Sequence, residues 1–128
     1  MLGGLNHLDK FAWLGSFSGA FNNWAETRPV RSTATPNAGG GGRGFNLTLV
    51  ENQIPVIFPN LDAKANSQIK LLWIACGTSD MLIGVNRQFK AYLDSKGVNA
   101  TFTEIPDMGH VWPLWRQNLA DFAPLLFK

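Results

Sequence analysis

The segment Ile69-Lys70-Leu71-Leu72-Trp73-Ile74-Ala75-Cys76 is apolar at every position but Lys70, and the polar turn Gly77-Thr78-Ser79-Asp80 follows at once. A strand with one wet face alternates apolar and polar residues. A continuous run belongs to a strand covered on both faces, as in a parallel sheet. Parallel strands need crossover connections, normally helices. The sequence supplies them. Val85, Phe89, Tyr92 and Leu93 share a helical face within a helix predicted from Val85 to Lys96, and Gly97 is its stop signal. Thr101 to Ile105 alternates and is β-rich, so it reads as a strand. Pro113 suits the first turn of a last helix running to about Leu125. Upstream, Leu2 to Leu8 reads as the end of a helix, and Phe11 to Ser18 as an apolar strand ending at Gly19. Asp62 is a candidate N-cap for a helical turn to Gln68.

Strand and helix alternate, which predicts an α/β fold: a small, mostly parallel sheet of about three strands flanked by helices, in one domain over residues 1–128. A long stretch from about 21 to 61 interrupts it. It holds Pro29, Pro36, Pro55, Pro59 and the run Gly39 to Gly42, and reads as an irregular loop. So long a loop is uncommon in a compact domain. The glycine run lacks the Lys-Ser/Thr of a phosphate-binding loop.

Composition excludes several function classes. With 45% hydrophobic and 16% charged residues, the chain is too apolar for disorder. No window has the uninterrupted apolar length of a membrane helix, and no signal peptide is visible, so membrane insertion is not expected and localisation stays open. The net charge of +2 is scattered, which gives nucleic-acid binding no footprint. One cysteine rules out an internal disulfide, and two histidines with one cysteine do not make a zinc site. No metal or cofactor is expected. Asn46-Leu47-Thr48 and Asn99-Ala100-Thr101 match the glycosylation sequon, a short motif discounted here for want of a secretory signal.

Two polar residues stand where chemistry is usually done. Asp80 lies past the carboxyl end of one predicted strand and His110 past that of the next. Parallel strands exit on the same sheet edge, where open α/β folds build their sites. A carboxylate that accepts the Nδ1 proton of an imidazole fixes its tautomer and stabilises its charged form, which makes the histidine a general base. The competing reading gives Asp80 to a turn or helix cap and His110 to surface packing. Trp112 is a candidate substrate-binding residue, and Trp112 with Trp115 would line an aromatic pocket, although a spacing of three also fits helix packing. Trp24 in the long loop is a second candidate ligand contact.

Several segments resemble the carboxyl-terminal half of the esterase D family of α/β-hydrolases, which includes feruloyl and acetyl xylan esterases. They are Leu5-Asn6-His7-Leu8-Asp9-Lys10-Phe11-Ala12-Trp13, Phe17-Ser18-Gly19-Ala20, Leu71 to Asp80, Asn86-Arg87-Gln88-Phe89, and Gly109-His110-Val111-Trp112-Pro113-Leu114-Trp115-Arg116-Gln117-Asn118-Leu119. The last is the most specific. The resemblance implies a partial α/β-hydrolase fold with Asp80 as catalytic acid and His110 as catalytic base. It implies a small ester, or an ester linked to a polysaccharide, as substrate. Relatives are secreted or cytoplasmic. The family nucleophile is a serine in a Gly-x-Ser-x-Gly elbow, and no such motif occurs here; in Gly15-Ser16-Phe17-Ser18-Gly19, Phe17 takes the serine position. The chain therefore resembles an esterase cut after its nucleophile. Ser18, at a strand exit, is the only substitute nucleophile to nominate, against a purely structural reading. Truncation would bare an apolar strand edge and predicts a homo-oligomer through it. The alternatives are a non-catalytic half-domain and a carbohydrate-binding module using its five tryptophans.

Overall fold

In the computed structural model, which describes residues 1–21 and 54–128, the Ile69 to Cys76 run forms the middle of a three-stranded sheet ordered β1-β2-β3. The strands are β1 (Trp13–Phe17), β2 (Leu71–Gly77) and β3 (Thr101–Ile105). Both pairings are parallel, with Gly15 opposite Trp73 and Trp73 opposite Thr101. The helices are α1 (Leu2–Leu5), α2 (Ile54–Ile57), α3 (Ile83–Ser95) and α4 (Trp112–Phe122), with 3-10 turns at Ala63–Ser67 and Ala123–Leu125. The expected α/β architecture is the one observed.

Alternation along the strands sends successive side chains to opposite faces. Leu14, Leu72 and Ile74 meet Val85, Phe89 and Leu93 of α3 in the main hydrophobic cluster. On the other face Phe122 of α4 packs against Phe17 and Trp73. Gly15 leaves room for that ring, since a Cβ there would sit 3.0 Å from Phe122. β2, covered on both faces, is the strand with the continuous apolar run.

Local signals fix the element ends. The Asp62 side chain accepts the Lys64 N–H and caps the first 3-10 turn. Gly97, at φ +70°, closes α3 in the left-handed region, and the Val98 N–H reaches the Leu93 carbonyl at 2.9 Å. The structure departs from the sequence reading at several element ends: β2 begins at Leu71 and α3 at Ile83. β1 is shorter than Phe11 to Ser18, because Ser18 turns to φ 54° and ends the strand. The first helix stops at Leu5 and not Leu8. The expected irregular stretch ends before 61: α2 buries Ile54 and Ile57, and Phe58 and Leu61 follow into the core. Trp24 and the glycine run lie outside the described residues.

Candidate active site

Two exit loops meet at the carboxyl edge of the sheet. The loop after β2 lies against the loop after β3: Thr78 N–H donates to Ile105 O, Ser79 N–H to Met108 O, and Asp107 N–H to Thr78 Oγ1. Gly77 makes the approach possible. A Cβ at that position would overlap the Met108 carbonyl oxygen, the same oxygen that accepts the Ser79 N–H.

Across this seam His110 Nδ1 lies 3.0 Å from Asp80 Oδ2. The partners differ sharply in exposure. The Asp80 side chain is fully buried, whereas that of His110 is 43% exposed. With Nδ1 engaged, Nε2 has no partner among the described residues. The other carboxylate oxygen, Oδ1, accepts the Leu82 N–H at 2.9 Å, and the Asp80 carbonyl accepts the Ile83 N–H at 3.0 Å. Asp80 thus shapes the turn into α3 with one oxygen and faces the imidazole with the other. Burial pushes the Asp80 carboxyl upward. The hydrogen bonds from the Leu82 N–H, the Ser18 hydroxyl and His110, with the attraction of the imidazole, outweigh it and hold the group below the ordinary aspartate value.

Ser18, past the end of β1, is buried. Its hydroxyl oxygen accepts the Trp115 indole N–H at 3.4 Å. It makes no bond to His110 among the described residues, which is where an attacking serine would have to point. Cys76, close by, is buried, and burial followed by the Asp80 charge pushes its thiol up to about 11. It stays protonated and is no nucleophile at neutral pH.

α4 starts beside His110. Trp115 stands edge-on to the imidazole, with ring centroids 5.0 Å apart at 86°, and edge-on to Trp112 at 5.2 Å. Trp112 is 73% exposed, and the exposed apolar residues Val111 and Met81 directly follow His110 and Asp80 in the chain. Asn86, at 0% exposure, ties the site to α3: its side-chain amide donates to Gly19 O, just after Ser18, and to Leu82 O, just after Asp80. Sequence reasoning missed Gly77, Asn86 and the contact of Ser18 with Trp115. A glycine directly after a buried strand was the available signal for the first. Among the described residues no three His, Cys, Asp or Glu side chains gather to hold a metal ion, and no helix is long and apolar enough to cross a membrane.

No family model matches the sequence. Among solved structures the chain is similar to a ferulic acid esterase, with a TM-score of 0.62 and 17% identity over 97% of this chain. The match covers 45% of that esterase, so the chain spans less than half the length of its structural neighbour. At that identity the likeness shows the fold: a small parallel sheet with flanking helices, of the kind found in an esterase.

Proposed function

We propose that the chain carries the acid–base half of a carboxylic-ester hydrolase site, with Asp80 as the acid and His110 as the general base. The observation that carries this reading is the 3.0 Å contact between His110 Nδ1 and a buried carboxylate, with Nε2 unpaired among the described residues. In the proposed reaction Nε2 takes the proton of the attacking oxygen as that oxygen bonds to the ester carbonyl carbon. Asp80 stabilises the resulting imidazolium. When the carbon–oxygen bond to the alcohol breaks, the same proton passes from Nε2 to the departing oxygen.

The nucleophile decides how fast this runs. With no Gly-x-Ser-x-Gly in the sequence and no bond from Ser18 to His110 among the described residues, the 128 residues by themselves use water. The covalent route requires a serine elbow and its oxyanion hole from protein outside these residues. The fold likeness to a ferulic acid esterase supports an ester substrate, small or attached to a polysaccharide, and the exposed Trp112 ring offers an apolar face for its acyl group.

The test is hydrolysis of p-nitrophenyl acetate by the chain and by His110→Ala. A positioned general base contributes at least about a hundredfold in complete sites. Here, without an oxyanion hole, a fall of about tenfold is the expected outcome. Equal rates in the two proteins contradict the proposal and leave a folded, non-catalytic half-domain.

A further inference from the structure

The reaction described above uses Asp80 and His110 and gives no task to the groups behind them. Ser18 is 6% exposed and holds a left-handed backbone, φ 54°, that only glycine adopts without strain. Both sides of that turn are fastened. The Ser18 N–H donates to Ala75 O of β2 at 2.8 Å, and the following carbonyl, of Gly19, accepts the Asn86 amide of α3 at 2.8 Å. A hydroxyl donates once and still accepts, and the Ser18 oxygen accepts the Trp115 indole N–H. The Trp115 ring in turn abuts the imidazole edge-on.

These contacts run in one series from Asp80 through His110 and Trp115 to Ser18, drawn from the exits of all three strands and the first turn of α4. We infer that Ser18 and Trp115 are positioning residues: the Ser18 oxygen holds the Trp115 indole, and Trp115, so fixed, limits the swing of the imidazole. The inference rests on the acid–base reading of this site for its functional meaning. Its geometric content stands apart from that reading and is measurable without turnover.

The deciding variant is Ser18→Gly. Glycine suits the left-handed backbone, so the turn persists while the hydroxyl is lost. Trp115→Phe keeps a ring beside His110 and removes the indole donor. The readout is NMR of the His110 ring protons. The His110 ring signals broaden or shift in both variants. If activity is present, Ser18→Gly lowers kcat severalfold and leaves KM within about twofold. Unchanged His110 signals in a folded Ser18→Gly protein overturn the inference. Loss of His110-dependent hydrolysis throughout, with the NMR shifts present, overturns the catalytic reading alone.

Discussion

At Asp80 the two oxygens carry different duties, and each has a measurable consequence. Oδ1 closes the turn into α3 and Oδ2 faces His110. Because the folded carboxyl sits below its unfolded value of about 3.9, its ionised form adds stability above that pH. The contribution is lost as pH falls through the folded value. Asp80→Asn is expected to flatten the fall in unfolding free energy between about pH 5 and pH 2, measured by urea denaturation. An unchanged slope would show that Asp80 is not held below its ordinary range. At Gly77 the constraint is steric. Gly77→Ala pushes a methyl into the Met108 carbonyl and breaks the Ser79 bond, so a loss of about 2 kcal/mol is expected. A loss under about 0.5 kcal/mol, the range of ordinary surface changes, would mean the two loops adjust freely.

At the scale of elements, what the sequence revealed and what it hid have separate physical causes. β2 was legible because burial on both faces forbids polar residues along it, and α3 because one face packs Val85, Phe89 and Leu93 into the core and Gly97 must end it. The meeting of Asp80 and His110 was legible too, since parallel strands leave the sheet on one edge. α2 was hidden by Pro55 and Pro59, which read as loop although Ile54 and Ile57 anchor a turn in the core. The contact of Ser18 with Trp115 was hidden because it depends on one backbone angle, and that of Trp115 with His110 because helical spacing does not say which neighbour a ring meets. The end of α3 carries its own prediction. Gly97→Ala forces a Cβ into the left-handed region and is expected to cost about 1 kcal/mol, read by thermal or urea unfolding. No loss would mean that the helix end rearranges without cost.

The whole molecule ends its sheet on β1, whose outer side pairs with no strand among the described residues. In the parallel ladder Ala12, Leu14, Ser16 and Ser18 turn their backbone groups to β2, so Trp13, Gly15 and Phe17 present theirs outward. An apolar groove of about 300 Å³ beside this edge is lined by Phe11, Trp13, Phe122 and Phe127, of which Phe11 is 49% and Phe127 80% exposed. Such an edge favours association. Sedimentation is expected to show the mass of the chain rising with concentration, and Phe127→Glu to reduce it. A single monomer mass at every concentration would contradict self-association.

The claim on which the account turns is that Asp80 and His110 act as one unit on an ester. A double-mutant cycle on p-nitrophenyl acetate hydrolysis, using His110→Ala, Asp80→Asn and the two together, tests it most directly. The account predicts that Asp80→Asn slows hydrolysis when His110 is present and has no further effect when it is absent. Losses that multiply independently, or no loss from either substitution, would contradict it.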